Sequence, residues 1–230
     1  MSAIDPLISF KSFQRVDTVT HEELLELDSL EVTSIFKHST FKFGVLNWQE
    51  TNKNEEDMFS NCSISPVGMI IHNGGSLTVG QQFREFLEII GEDIELMGWE
   101  GYTGGLGNER PGTSVYTSFR DMSIMFHVAP YLPFSPNNLQ QLDRKRHIGN
   151  DVALLIFTEA SQPYLTSLIA SQFNHVIIVV SPEKADDGTT YYSIAVTAKD
   201  EVPTFGPPLP ARGIFHTKVQ LRKFLLMKRG

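Results

Sequence analysis

The chain has 230 residues, 41% of them hydrophobic, and its 19 Lys and Arg against 27 Asp and Glu give a formal net charge of −8. That length suits one domain with a small appendage, and that composition excludes wholesale disorder. The acidic balance argues against nucleic acid as a partner, because phosphate surfaces attract clustered Lys and Arg.

Residues 1 to 40 read as a tail carrying one helix. Thr20 is its N-cap, Glu23 the capping-box partner, and Leu24, Leu25, Leu27 and Leu30 follow. Phe41 to Trp48 alternates as a strand, with Gly44 a bulge or close-approach site. Thr51 to Asp57 is a polar loop, and residues 60 to 80 form a Gly, Ser and Asn-rich stretch. Gln81 to Ile90 predicts an amphipathic helix. Phe83, Phe86, Leu87 and Ile90 share one face, and Gly91 ends it. Gly101 to Gly112 is a glycine-rich loop. Ser114 to Phe119 and Ser123 to Val128 predict paired strands around Arg120-Asp121.

Ser135-Pro136 supplies an N-cap and first-turn proline for a helix running to about Ile148. Its basic last turn suits the negative end of the helix dipole, and Gly149 fits a left-handed C′ position. Val152 to Phe157 and His175 to Val180 are continuous apolar runs, the mark of strands buried on both faces. Tyr164 to Phe173 predicts the helix between them, and Tyr191 to Ala198 extends the sheet. Val202 to Pro210 cannot be regular structure, because its prolines remove backbone donors. Thr217 to Lys228 predicts a closing helix. Strands and helices interleave, so the fold class is α/β with a mixed central sheet flanked by helices.

The single cysteine, Cys62, permits no intramolecular disulfide and fits a reducing compartment. Met1 to Phe10 lacks the basic start and apolar run of a signal peptide. No apolar stretch approaches the ~20 residues needed to cross a bilayer. The expectation is a cytoplasmic protein without a transmembrane segment.

The most informative stretch is Arg144-Lys145-Arg146-His147-Ile148-Gly149-Asn150-Asp151, where a basic helix end, a glycine and an amide precede a buried strand. Read alone, Asn150-Asp151 is turn chemistry and Arg146 and His147 are a solvated helix end. The glycines of Gly101 to Gly107 do not make a phosphate loop, since G-x-x-x-x-G-K-[ST] is absent. His21-Glu22 opens HEELL, but a zinc-protease pattern needs His where Leu25 stands. His127 reads first as a hydrogen-bonded strand histidine, with a role at a site edge as the lesser alternative.

From Phe41 to Lys228 the chain resembles the catalytic domain of Rap GTPase-activating proteins. The motifs are FKFGVL (41–46), EEDMFSN (55–61), FREFLEIIG (83–91), GWEGYTGGL (98–106), RKRHIGND (144–151), FNHVIIVV (173–180), FGPPLP (205–210) and FLLMK (224–228). RKRHIGND followed by FGPPLP is the most specific part. The resemblance implies a G-domain-like catalytic fold over residues 41–230, with 1–40 a remnant of a flanking region.

It also implies stimulation of GTP hydrolysis on a Rap-like small GTPase in its GTP-bound form. Asn150 would be the catalytic residue, an "asparagine thumb". His147, Arg146, Lys145 and Arg144 would support the thumb or contact the GTPase. No cofactor of its own is implied, since GTP and Mg belong to the partner. Recruitment to membranes would come through that GTPase. Residues 1–40 are too short for the family's dimerisation region, so a homodimer is not expected, and Ser63 to Gly80 reads as an insertion. Two alternatives stand beside this reading: a noncatalytic GTPase-binding module of the same fold, and activity on a Ral-like or Rheb-like GTPase.

Overall fold

The computed structural model describes residues 39–48, 77–109, 111–133, 141–158, 171–203 and 205–228. The helix expected at 20–30, the loop at 51–57, the Ser135-Pro136 cap and most of the 164–173 helix lie outside them.

Among the described residues eight strands form one mixed sheet. They are β1 (Ser39–Trp48), β2 (Glu92–Glu95), β3 (Thr113–Phe119), β4 (Met122–Val128), β5 (Ala153–Thr158), β6 (Val176–Lys184), β7 (Thr190–Ala198) and β8 (Ile214–Phe215). Their order is β2-β3-β4-β1-β5-β6-β7-β8. The centre, β4-β1-β5-β6, is parallel, and both flanks are antiparallel. The apolar runs of β5 and β6 therefore sit where both faces are covered. The alternation read into β1 does not survive: Phe43 through Asn47 are all buried, because this strand lies mid-sheet between β4 and β5. The β3–β4 hairpin turns at Arg120-Asp121 as expected, with Arg120 in the left-handed region at φ 53°.

Among the described residues three α-helices accompany the sheet: α1 (Leu77–Ile90), α2 (Leu142–Gly149) and α3 (Lys218–Met227). Helix α1 starts inside the stretch read as a Gly, Ser and Asn-rich insertion, so that stretch ends in helix. Its Phe83, Phe86, Leu87 and Ile90 are buried with Phe43, Phe126 and Phe157, and with Leu221, Phe224 and Leu225 of α3. Phe86 stacks on Phe157 with ring centroids 5.1 Å apart. The opposite face carries a second cluster, in which Ile148 of α2 and Leu96 and Leu106 meet Leu46, Leu154 and Ile156. Helix α2 and the glycine-rich loop thus share one side of the sheet.

The basic residues of the closing helix do not all face solvent. Arg222 turns inward, donating to the Ile89 carbonyl and Thr117 Oγ1, both at 2.7 Å. Lys228 is fully buried, donating to the carbonyls of Phe205 (2.8 Å) and Pro207 (2.7 Å) over the Phe205 ring. The proline-rich segment that cannot form a ladder is held in this way by the end of the closing helix. Thr217 caps α3, accepting from the Gln220 amide.

Candidate functional site

Helix α2 ends differently from the expectation. Gly149 is its last helical residue and has no positive φ. The cap is Asn150, at φ −95° and ψ 2°, with its N–H donating to the His147 and Ile148 carbonyls. The Asp151 amide donates to Ile148 at 3.2 Å. These i→i−3 bonds tighten the last turn and satisfy carbonyls that a helix end leaves open. The consequence is a sharp exit: Asn150 is exposed while Asp151, one residue on, is fully buried.

Two side chains from the segment before β6 fasten this turn. Ser171 Oγ donates to the Gly149 carbonyl at 2.6 Å. Buried Asn174 donates through Nδ2 to the carbonyls of Ile148 (3.1 Å) and Asp151. Backbone carbonyls on both sides of Asn150 are therefore claimed, and its carboxamide projects from a braced turn. Neither Ser171 nor Asn174 stands out in the sequence by residue type, since a buried amide and a serine before a strand read as ordinary loop polarity.

Beneath the turn lies a buried polar cluster. His127 on β4 points Nδ1 at Asp151 Oδ2, 2.9 Å away, and Nε2 at the Gly104 carbonyl, 3.1 Å away. Lys42 of β1 stands 3.5 Å from Asp151 Oδ1. The His147 ring meets the His127 ring edge-on, with centroids 5.4 Å apart. Burial pushes the His147 imidazole below its ordinary value. The neighbouring His127, Arg146 and Lys42 act in the same direction, and Asp151 acts against it. The ring is therefore neutral at pH 7, able to accept as well as donate.

Above this cluster Lys42, Gly104, Gly105, Arg146, His147 and Asn150 enclose a cleft of about 260 Å³. Three of the residues expected at a site, Asn150, His147 and Arg146, come together here. Lys145 is half-buried on α2 and is not among the described residues lining the cleft. Arg144 does not line the cleft either. It is buried, and its Nε and Nη2 donate to the Leu132 carbonyl at 3.1 and 2.8 Å. Four successive residues of a helix span more than one turn, so a basic tetrapeptide cannot keep all its charges on one face. Arg144 supports the helix from inside.

A larger cleft of about 460 Å³ adjoins it, lined by Leu96, Leu106, Pro111, Tyr131, Leu132 and His147 among others. Burial raises the Tyr131 hydroxyl to about 12, with Asp93 adding to the effect. Among the described residues no cluster of His, Cys, Asp or Glu is arranged to hold a metal ion, and no helix is long and apolar enough to cross a membrane.

Comparison with known proteins adds an independent line. Residues 73–229 match the family model described as Rap/ran-GAP. Over 191 residues the chain is 38% identical to signal-induced proliferation-associated 1-like protein 1 of Mus musculus, covering 81% of this chain and 10% of that protein. Over 194 residues it is 38% identical to GTPase-activating Rap/Ran-GAP domain-like protein 3 of Gallus gallus, covering 82% of this chain and 19% of that protein. The chain thus spans between a tenth and a fifth of those relatives. A solved structure of the TSC2 GAP domain superposes with a TM-score of 0.64 at 24% identity, over 82% of this chain and 94% of that one, a likeness of fold. Strand β1 precedes the matched range, yet it occupies the middle of the sheet.

Proposed function

Because this chain belongs to the Rap/Ran-GAP family, we propose that it stimulates GTP hydrolysis on a Rap-like small GTPase, with Asn150 supplying a carboxamide in trans. The observation that carries this reading is the exposed Asn150, held on a turn whose carbonyls on both sides of it, at Gly149 and Asp151, are engaged, at the rim of a cleft flanked by Lys42 and Arg146.

Phosphoryl transfer to water needs little covalent help from protein; positioning and charge stabilisation do most of the work. Many Ras-like proteins orient the attacking water with their own glutamine. A carboxamide from outside can do the same, because it accepts one hydrogen bond and donates another without ionising. Such a group is useful only if it is held still. The bonds from Ser171 and Asn174 hold the backbone on both sides of Asn150, so little ordering remains to be done on encounter.

Lys42 and Arg146 give the surrounding surface a positive sign within a chain that is acidic overall. That polarity suits a partner whose active site presents phosphates and acidic side chains. His147 contributes a neutral polar wall. The GTP and its magnesium belong to the GTPase in this reading, and the soluble chain meets membranes through that partner.

The deciding experiment is single-turnover GTP hydrolysis on GTP-loaded Rap, with the unmodified protein and with Asn150→Ala. Strong stimulation lost in the variant, with Rap binding retained, is the expected result. Loss of binding as well would move Asn150 from chemistry to docking. Binding without stimulation by the unmodified protein would point to a noncatalytic module or another GTPase.

A further inference from the structure

His127 lies beneath the surface that meets a partner, and its two contacts join two separate parts of that surface. On one side its Nδ1 is 2.9 Å from Asp151 Oδ2, the residue immediately after Asn150. On the other its Nε2 is 3.1 Å from the carbonyl of Gly104, in the glycine-rich loop. Both side chains are essentially without exposure. Asn150, Gly104 and Gly105 line the same cleft, so the histidine is a tie rod under its floor.

The loop is built to accept this tie. Gly104 has φ +66°, and a Cβ there would lie 3.0 Å from His127 Nε2 and 2.9 Å from Met125 Cγ. Only a glycine brings its carbonyl so close to the ring. The sheet fixes the other end. Gly44 on β1 sits beside His127 on β4 and Leu154 on β5, and the missing side chain leaves the space in which Asp151 reaches the ring.

The chemistry of the two acceptors sets the hydrogen positions. A carbonyl oxygen can only accept, so Nε2 carries hydrogen. A bare Nδ1 lone pair facing a carboxylate would repel it, so the arrangement is complete when Nδ1 donates as well. Lys42, 3.5 Å from the second carboxylate oxygen, supplies positive charge from the solvent side.

We propose that His127 is a positioning residue. By donating from both ring nitrogens it ties the Asn150 turn, through Asp151, to the Gly104 loop, so that the two present one preformed surface to the GTPase. This rests on the functional reading above. The bond to Asp151 sets the position of Asn150 and so acts on turnover. The bond to Gly104 sets the loop and so acts on docking.

Two substitutions separate the bonds. An asparagine at 127 places its amide nitrogen near the Nδ1 position and can still donate to Asp151. A glutamine places it near the Nε2 position and can still donate to Gly104. With GTP-loaded Rap, His127→Asn keeps the saturating rate within about threefold and raises the half-saturating Rap concentration several-fold. His127→Gln lowers the saturating rate by about tenfold or more and changes the half-saturating concentration less. Equal changes in both parameters for both variants, or no change in either, overturn the proposal, since a merely structural histidine lowers them together.

A second measurement needs neither a variant nor a GTPase. Nitrogen-15 correlation spectra of the unmodified protein should show hydrogen on both His127 ring nitrogens, and a bare Nδ1 overturns the tie. If the unmodified protein fails to stimulate Rap, the functional reading fails, and this spectrum still decides whether the tie exists.

Discussion

Arg144 and Arg146 stand two residues apart on α2 and face opposite ways. Arg144 is buried against the Leu132 carbonyl, 2.8 Å from Nη2, while Arg146 is exposed and faces Asp143 at 3.7 Å. Two residues correspond to about 200° around a helix, which is enough to send one guanidinium into the core and the other into solvent. Adjacent charges in one motif therefore have separable roles.

That separation is testable. Arg144→Ala leaves the buried Leu132 carbonyl without its donor, and the part-buried Pro133 carbonyl as well, and should cost roughly 2–3 kcal/mol in urea unfolding. Arg146→Glu should leave stability within about 0.5 kcal/mol. Its effect should appear in the association rate with GTP-loaded Rap, slowed most at low salt, because an exposed rim charge acts mainly on encounter. An unchanged association rate for Arg146→Glu would remove this residue from the docking surface.

Phe86→Ala addresses the other face of the sheet. Phe86 has no exposed surface and packs between Phe83 and Phe157. Truncation removes most of a large ring and leaves a cavity between helix and sheet, at a cost of about 3–5 kcal/mol. Chemical denaturation reads this directly. A near-neutral result would mean the α1 face collapses to fill the space. Rap stimulation by the remaining folded protein should be unaffected, since the site lies on the opposite face.

Lys228 supplies a pH signature. Burial lowers its ammonium from 10.5 to about 8 in the folded chain. Below pH 8 both folded and unfolded chains hold the proton, and the cost of burying the charge is fully present. Between pH 8 and 10.5 the unfolded chain keeps the proton that the folded chain has released, so this residue's contribution to stability rises with pH. The gain is on the order of 1–3 kcal/mol. Lys228→Met removes the titration. Unfolding free energies of the two proteins should therefore diverge in favour of the unmodified chain as pH rises through that window. A difference independent of pH would mean that the Phe205 and Pro207 carbonyls keep the ammonium charged.

These residues also show what could be read from the chain. The α1 face, the β3–β4 turn and the apolar runs of β5 and β6 follow from local periodicity, which depends on neighbours a few positions away. The His127–Asp151 contact spans 24 residues and depends on β1 lying between β4 and β5, an order no local pattern encodes. The motif singles out Asn150 as a candidate, whereas the bracing of its turn by Ser171 and Asn174 has no local signal, because those side chains lie more than 20 residues further along the chain. The left-handed expectation at Gly149 fails for a related reason: i→i−3 bonds from the Asn150 and Asp151 amides close the helix without it. The Gly101 to Gly107 loop shows no phosphate-loop pattern, and its Gly104 instead brings backbone against the protein's own His127, a contact no local pattern announces.

Gly44→Ala tests whether this buried arrangement governs the surface above it. A Cβ at 44 would lie 2.5 Å from Leu154 Cδ2, 3.1 Å from Asp151 Oδ2 and 3.2 Å from Ile148 Cγ2. Leu154 can turn its methyl aside. Asp151 has less freedom, because its Oδ2 is engaged by His127. Overpacking of this kind costs about 1–3 kcal/mol. The strain falls on Ile148 and Asp151, the residues that flank the Gly149-Asn150 pair, so turnover on GTP-loaded Rap should drop more than binding. Urea unfolding and single-turnover hydrolysis measure the two effects separately. Lowered stability with full turnover would show that Leu154 alone absorbs the added methyl and that the Asn150 turn is insulated from the strand beneath it.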